Sequence, residues 1–272
     1  MKGCNEQFED FKQIHEEYSK RGKELNRLSK LPLDDKIKIS NEEIKNALQD
    51  SEKPVVACSF GKDSTVLLYL VRQFKSDVKV IFSNTGIEFP ETIKFKEFLV
   101  KEWNLNFEEL FPKQTFWEIV EKYGFPKESR NTPKGDARKP KCCDILKMNP
   151  ASNFYKKYNP DLVFVGLTAG EGRSRRMSYI RWGMFTFYVK KDNFKKSNPL
   201  LFWKPDDIWT FIKLNDLPIN EAYEKYKMDR IGCMPCTGYF KWEEQLARIK
   251  PNLYSKIQHM KGQHLIQDYE VI

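Results

Sequence analysis

The sequence has little that would place the protein in or across a membrane. No apolar run in its 272 residues approaches the ~20 residues needed to span a bilayer. The first ten residues, MKGCNEQFED, contain no apolar core, so we predict no signal peptide. We therefore expect no membrane partner and a cytoplasmic location.

Histidine is also scarce, and the sequence shows no internal repeat and no low-complexity tract. His15, His259 and His264 form no ligand pattern, so we expect them to be surface or helix residues. Positive charge is abundant, because 47 Lys and Arg residues against 38 Asp and Glu residues give a formal net charge of +9. This excess favours anionic partners such as nucleotides, sulfate esters or nucleic acid, but a lysine-rich surface without a partner explains it equally well.

Short β-branched segments alternate with helical patterns along the chain. PVVACSF at 54–60, VKVIFSN at 78–84 and DLVFV at 161–165 are typical of strands covered on both faces. Their alternation with helices predicts an α/β fold with a mostly parallel sheet and helices on both faces. In such sheets, ligands bind beyond the carboxyl ends of the strands.

We divide the chain into an N-terminal helical extension at 1–50, a main domain at 51–240 and a C-terminal helical tail at 241–272. In the extension, Ser40 followed three residues later by Glu43 predicts a helix N-cap at Ser40. The extension suits an arm for dimerisation or for substrate binding, and the sequence leaves both open. The segment GEGRSRRMSYIR at 170–181 is expected to be an arginine-rich loop.

The turn after the first strand has the chemistry of a phosphate site. Gly61 allows close approach of the backbone to a ligand, or a positive φ. Ser64 lies where a helix opens, and free N–H groups and the helix dipole attract anions there. Lys62 adds positive charge, and Ser59 adds a hydroxyl donor. The spacing differs from a Walker A loop, because Lys62 is followed by Asp63 and the loop is two residues shorter.

Four of the six cysteines form two separated pairs, Cys142-Cys143 and Cys233-Met-Pro-Cys236. In a chain of this kind, clustered cysteines more often bind metal or do redox chemistry than form disulfides. Adjacent cysteines rarely point the same way, so the set suits an iron–sulfur cube better than a tetrahedral zinc, although a structural zinc stays open. Cys4 and Cys58 have no partner at useful spacing, and Cys58 is expected to be buried in the first strand.

The strand-to-helix turn SFGKDS resembles the PP-loop of the ATP pyrophosphatase and adenine-nucleotide α-hydrolase superfamily. TGIEFPET at 85–92 resembles the corresponding segment of the phosphoadenosine phosphosulfate (PAPS) reductase family, in which Asn84 replaces the usual aspartate. VGLTAGEGRSRR at 165–176 and NPLLFWKPDDIWTFI at 198–212 resemble the next segments of that family in the same order. The resemblance covers roughly residues 53 to 240.

The resemblance implies an adenine nucleotide (ATP, adenylyl sulfate or PAPS) as ligand. The implied phosphate- and nucleotide-binding residues are Ser59, Phe60, Gly61, Lys62, Asp63, Ser64, Asn84, Thr85, Gly86, Glu88, Gly166, Arg173, Arg175 and Arg176. Lys62 and Asp63 are the implied catalytic residues, with Asp63 as the candidate contact of an ATP-bound Mg²⁺. KCCDILKMNP, which includes Lys147, and RIGCMPCT resemble the [4Fe–4S] ligand segments of adenylyl-sulfate reductases, which implies Cys142, Cys143, Cys233 and Cys236 as ligands.

Three functions are consistent with this resemblance. ATP-dependent adenylation followed by sulfur transfer to an acceptor, either nucleic acid or a sulfur-carrier protein, is the function we favour. Reduction of adenylyl sulfate or PAPS to sulfite is the alternative. Family members use a C-terminal thiol for it that this sequence lacks after Cys236, so a partner, Cys58 or Cys4 would have to supply the thiol. The third function is a non-enzymatic nucleotide-binding subunit.

Overall fold

The structure is a computed structural model. It describes residues 2–125, 141–183, 185–239 and 241–269, and for residues 2–11, 171, 174 and 262–269 it describes the backbone alone. The chain folds as two compact units. The first comprises Met1–Val80, Leu105–Phe107 and Pro160–Ile219, and the second comprises Ile81–Asn104, Glu108–Asn159 and Asn220–Ile272.

Six strands form one sheet: β1 (Pro54–Ala57), β2 (Lys79–Ser83), β3 (Asn106–Leu110), β4 (Leu162–Val165), β5 (Thr186–Val189) and β6 (Phe194–Ser197). The strand order is β3-β2-β1-β4-β6-β5. Strand β4 pairs in parallel with β1 and with β6, and the edge strand β5 is antiparallel to β6. The predicted α/β fold with a mostly parallel sheet is thus confirmed, but the β5–β6 hairpin was not foreseen.

Helices occupy most of the rest of the chain. The structure begins with α1 (Lys2–Leu28) and α2 (Leu33–Gln49), and then gives α3 (Lys62–Arg72), α4 (Pro90–Glu102), α5 (Phe116–Tyr123), α6 (Lys141–Cys143), α7 (Asn149–Tyr158), α8 (Arg173–Trp182), α9 (Pro205–Leu214), α10 (Ala222–Tyr226), α11 (Trp242–Ile249) and α12 (Pro251–Tyr269). A π-helical turn (Asp144–Met148) joins α6 to α7, and a 3₁₀ turn (Ala169–Glu171) precedes α8. Among the described helices, none combines the length and the hydropathy that crossing a bilayer requires.

The predicted N-cap at Ser40 is wrong. Helix α2 begins after Pro32 and carries Asp34 and Asp35 in its first turn, where carboxylates stabilise the positive end of the helix dipole. Ser40 is fully buried in mid-helix. Its hydroxyl donates to the carbonyl of Pro199 and accepts from the Trp203 indole, each at 2.9 Å. Tertiary hydrogen bonds therefore decide its role, and these leave no signal in the local sequence.

The core of the first unit lies on both faces of the sheet. Val55, Val56, Leu162, Val163 and Phe164 are buried, as continuous apolar strands require. In the strand order, β1 leads outward to β2 and β3, whereas its other neighbour is β4. The order therefore reverses between β1 and β4, and this is the place where open α/β sheets bind ligands.

Candidate functional site

The turn that follows β1 is held closed by its own serines. The Ser64 hydroxyl donates to the carbonyl of Gly61 at 3.0 Å and accepts from the backbone N–H of Ser59 at 3.2 Å. The two serine oxygens lie 3.2 Å apart. These bonds fix the loop against the first turn of α3, and the N–H groups and dipole at a helix start favour an anion.

Phe60, rather than Gly61, takes the unusual backbone conformation in this turn. Gly61 has φ −89°, so the positive φ considered for it is wrong. Phe60 has φ 54° and is fully buried, with its ring edge-on to Phe107 at 5.9 Å between centroids. A bulky residue in this region is uncommon and costs free energy, which the buried packing of its ring offsets.

Lys62 and Asp63 form a buried ion pair at the start of α3. Lys62 Nζ donates to Asp63 Oδ2 at 2.7 Å, and 5% of the lysine side chain is exposed. The other carboxylate oxygen, Asp63 Oδ1, is buried and has no hydrogen-bond partner among the described residues. An unsatisfied buried carboxylate oxygen is costly, so this atom has the chemistry of an open position for a cation or a donor group.

Gly166, which follows β4, presses directly against the same turn. A Cβ atom at this position would lie 2.9 Å from Ser64 Cα and 3.0 Å from the carbonyl oxygen of Asp63. Only glycine allows the end of β4 to come so close to the backbone of α3. The structure thus brings together the predicted residues of the turn with Gly166.

The predicted arginine-rich loop is wrong for most of its length, because residues 173–182 form helix α8. Gly183 ends this helix with φ 69°, and Arg21 of α1 donates to the carbonyls of Ile180 at 3.0 Å and Arg181 at 2.7 Å. This tertiary cap at the negative end of the helix dipole stabilises a helix that the local sequence does not predict. Arg173 is exposed at its start, and Arg175 and Arg176 are half-buried.

The remaining predicted nucleotide residues belong to the second unit. Glu88 accepts from the Thr85 backbone N–H at 3.0 Å and from the Thr85 hydroxyl at 2.6 Å. Gly86 has φ 75°, which explains the need for glycine at this position. Asn84 accepts from the N–H of Gly86 at 2.9 Å through its amide oxygen. The segment is therefore a tight, internally bonded loop.

Asn84, where relatives are expected to have aspartate, has a role that aspartate could not fill. Its amide nitrogen donates to Glu109 Oε1 at 2.7 Å, and Glu109 also accepts from Lys96 at 2.8 Å. An aspartate here would place one carboxylate against another, because it has no donor when ionised. The substitution therefore matches a glutamate on the neighbouring strand.

The four predicted metal-binding cysteines all lie in the second unit and influence one another. A hydrogen bond with Cys143, burial, and the charges of Cys143, Cys233 and Cys236 raise the pKa of Cys142. Burial, followed by the charge of Cys233, raises the pKa of Cys236. Four thiols within reach of one another's charge have the donor chemistry of an iron–sulfur cluster. Over the described ranges, no three His, Cys, Asp or Glu side chains are arranged to hold a metal ion.

The thiols are anchored to the loop at 84–88. Cys233 Sγ lies 3.5 Å from the Thr85 hydroxyl, and Met234 donates to the carbonyl of Ile87 at 2.8 Å. Burial raises the pKa of Cys233, and the charge of Lys147 opposes this. Burial acts to lower the pKa of Lys147, but the charges of Cys233 and Glu88 raise it. Lys147 thus stays a cation beside the thiols.

Sequence reasoning missed Tyr239. Burial and the charge of Cys236 raise its pKa to about 12. A Cβ on Gly232 would lie 2.4 Å from the Tyr239 hydroxyl, so the phenol rests on the backbone of the cysteine turn. The guanidinium of Arg230 lies 5.3 Å from the centre of its ring. An aromatic residue three positions after a CxxC was the only local signal for this contact.

Comparison with known proteins agrees with the predicted fold and family. A family model described as the phosphoadenosine phosphosulfate reductase domain matches residues 53–239. The adenosine 5′-phosphosulfate reductase of Staphylococcus epidermidis is 31% identical over 215 residues, which cover 78% of this chain and 82% of that protein. An uncharacterized protein of Methanocaldococcus jannaschii is 32% identical over 203 residues, 73% of this chain, but the match spans only 45% of that protein's length.

Two solved structures share the fold at low sequence identity. The PAPS reductase from Candida auris, in a phosphate complex, superposes with a TM-score of 0.54 at 18% identity and covers 77% of this chain and 93% of its own. The FMN adenylyltransferase of Candida glabrata gives a TM-score of 0.53 at 14% identity and covers 82% of this chain and 72% of its own.

The sheet order and these structures define an α/β protein with a mostly parallel sheet whose strand order reverses between β1 and β4. Within that class, the chain belongs to the phosphoadenosine phosphosulfate reductase domain family. The predicted family is therefore confirmed, and its iron–sulfur subtype stays a prediction.

Proposed function

We propose that this protein binds ATP at the turn 59–64 and uses it to adenylate an acceptor. The observation that carries the proposal is the buried, unpartnered Oδ1 of Asp63, next to the oxygen that accepts from Lys62. A hard divalent cation such as Mg²⁺ prefers carboxylate and phosphate oxygens, so Asp63 is suited to hold the Mg²⁺ that accompanies ATP. Lys62, Ser59 and the N–H groups of α3 supply positive charge and donors for the phosphates.

In the adenylation step, an acceptor oxygen attacks the α-phosphorus of ATP. The bond from that phosphorus to the α,β-bridging oxygen breaks, pyrophosphate leaves, and the acceptor proton passes to solvent. A hydrosulfide then displaces AMP, so that sulfur replaces the activated oxygen without any change of oxidation state. The protein contributes mainly positioning and charge stabilisation, as in other phosphoryl and nucleotidyl transfers.

The names of the Staphylococcus relatives favour a second candidate, reduction of adenylyl sulfate to sulfite. That reaction needs a thiolate nucleophile. Cys58 is the described thiol outside the four-cysteine group, and burial raises its pKa to about 11. Its Sγ donates to the carbonyl of Ser64 at 3.8 Å inside the core. A thiol of this kind is protonated and inaccessible at neutral pH, which argues against Cys58 as the nucleophile of reduction.

We further propose that Cys142, Cys143, Cys233 and Cys236 hold a [4Fe–4S] cluster. The corners of such a cube are separate, so each thiolate binds its own iron and the four need not converge on one point. The buried cation of Lys147 and the Thr85 hydroxyl beside Cys233 support the proposal, since they compensate the negative charge of a thiolate-bound cluster. When bound, the cluster would supply a site for carrying or activating sulfur.

The test is anaerobic purification with iron and sulfide analysis, followed by incubation with ATP or adenylyl sulfate. Pyrophosphate release from ATP supports adenylation, whereas sulfite release from adenylyl sulfate with no pyrophosphate from ATP would replace it with reduction. Tight ATP binding without either product would leave a non-enzymatic binding subunit. Zinc in place of iron and sulfide would refute the cluster without touching the nucleotide proposal.

A further inference from the structure

One surface of the first unit combines exposed aromatic area with dense positive charge. It consists of α8 and the β5–β6 hairpin, residues 173–196. This segment carries Arg or Lys at eight positions and an acidic residue at one, Asp192. The proposed ATP site and cluster site assign no role to the basic and aromatic residues that follow Arg176 in this segment. We call the part from Arg181 to Lys196 the hairpin surface.

Trp182 is the central feature of the hairpin surface. Its indole stacks on Phe187 with 5.6 Å between ring centroids and 8° between ring planes, yet 52% of Trp182 is exposed. A single exposed hydrophobic residue is ordinary, whereas an exposed aromatic pair within a charged surface has the character of an interaction site. The indole is fixed in orientation by Phe187, so a flat ligand would find a preorganised stacking surface.

Basic residues flank Trp182 and Phe187 in the chain. Arg181 is exposed beside Trp182, and Lys190 and Lys191 are exposed at the turn of the hairpin. In the antiparallel register, Phe187 lies opposite Lys196, so that lysine shares its face of the hairpin with the aromatic stack. Tyr188 is also exposed but pairs with Lys195, and alternate strand residues face opposite sides. Tyr188 therefore lies on the other face.

We propose that the hairpin surface binds single-stranded nucleic acid, with a base stacked on Trp182 and phosphates held by Arg181, Lys190 and Lys191. Stacking on an aromatic combined with cationic tracking of the backbone is how proteins bind single strands. A duplex hides its base faces within its own stack, so a fixed indole favours the single strand. This inference rests on the proposed function for its purpose, because it identifies the acceptor class as nucleic acid.

An acidic protein is the occupant that charge alone would equally attract, but the carboxylates that charge would recruit offer no aromatic ring to stack on Trp182. The lysines of an edge strand also have a simpler use, since they discourage edge-to-edge aggregation. Both explanations predict that Trp182 contributes nothing to binding. Substitution of Trp182 therefore distinguishes nucleic-acid binding from both of these explanations.

The experiment measures fluorescence anisotropy of labelled oligonucleotides of about 15 nucleotides, the upper range of single-strand site sizes. Oligo-dT and oligo-U distinguish DNA from RNA, and a duplex of equal length and polyglutamate serve as competitors. Titrations run from about 50 to 200 mM salt, because phosphate contacts make the affinity salt-dependent. No ATP is added, so binding is read independently of turnover.

We expect Trp182→Ala to weaken single-strand binding roughly 5- to 150-fold, the range that loss of one stacked base gives. Trp182→Phe should restore most of the affinity. The matched control is Phe74→Ala, which removes another partly exposed aromatic that has Lys45 beside it. Strand binding should quench tryptophan fluorescence in the wild type and not in Trp182→Phe.

Replacing Lys190 and Lys191 together by Gln should make the negative slope of log K against log salt shallower by about 1.4, since each single-strand phosphate contact contributes about −0.7. The control is the same double replacement at Lys20 and Lys23, which are exposed on α1 and change net charge equally. Duplex or polyglutamate binding as tight as the single strand would overturn the proposal, as would equal losses in variants and controls.

The outcome separates this inference from the proposed function. If the protein binds single strands through Trp182 but releases no pyrophosphate, the nucleic-acid surface is supported and the adenylation proposal is refuted. Pyrophosphate release in a protein that binds no strand at the lowest salt would leave the adenylation standing and refute the nucleic-acid surface.

Discussion

Gly166→Ala is the sharpest test of the nucleotide turn, because the structure fixes the size of the perturbation. The added Cβ would lie 2.9 Å from Ser64 Cα and 3.0 Å from the Ser64 nitrogen. Carbon pairs rest at about 3.5–4.0 Å, so the backbone of the turn must move by ~0.6 Å or more. Both contacts are backbone atoms, and no flexible side chain can swing away to absorb the change.

Overpacking of this kind costs about 1–3 kcal/mol, which exceeds the ~0.4–1 kcal/mol that alanine gains by restricting the unfolded chain. We expect a net loss near 1–2 kcal/mol in the free energy of unfolding, or a fall in Tm of about 2–8 °C. Because misplacement by about 1 Å costs up to ~100-fold in rate, pyrophosphate release should fall roughly tenfold or more.

Differential scanning fluorimetry and a pyrophosphate-release assay measure the two effects. Gly172→Ala is the matched control, since no atom in the described part of the chain lies within 4 Å of the added Cβ and its φ of 166° is extended backbone. The reasoning is refuted if Gly166→Ala and Gly172→Ala melt and turn over alike.

Three further predictions concern other residues of the two units. Lys62→Ala should abolish ATP turnover while leaving iron and sulfide content unchanged, and undiminished turnover would count against the phosphate site. Asn84→Asp should cost about 1–3 kcal/mol in urea unfolding by setting a carboxylate against Glu109, and Glu109→Gln should recover most of this; additive losses would contradict that contact. Burial acts to raise the pKa of Glu91, but hydrogen bonds from Lys225, its own backbone and Tyr226 lower it from 4.5 to about 2. The ionised form therefore stabilises the fold above about pH 4.5, and this contribution is lost as the pH falls toward about 2. Unfolding of Glu91→Gln should depend less on pH over this range, and an unchanged pH profile would rule the effect out.

Local pattern was sufficient for strand β1 and for the turn that follows it. Four consecutive apolar residues, followed by Gly61 and a helical repeat, predicted the strand, the turn and α3, and β1 and α3 lie there. Burial on both faces leaves a continuous apolar signature that needs no knowledge of the partner strand. The family could also be predicted from sequence, because each of its motifs is one continuous stretch of neighbouring residues.

Other features depended on residues far apart in sequence. Arg21 caps helix α8 from about 160 residues away in the sequence. This contact stabilises as a helix an arginine-rich segment for which a loop was predicted. Ser40 looked like an N-cap but is buried in mid-helix, where it bonds to Pro199 and Trp203.

Asn84 and Gly166 separate what the sequence can predict from what only the tertiary structure fixes. The sequence determined that a polar residue and a glycine follow buried strands, because strand ends and turns carry local signals. Only the fold decided that Asn84 faces Glu109 and that Gly166 touches the backbone of Ser64. Contacts of that kind are fixed by strand order and chain packing, which no window of neighbouring residues encodes.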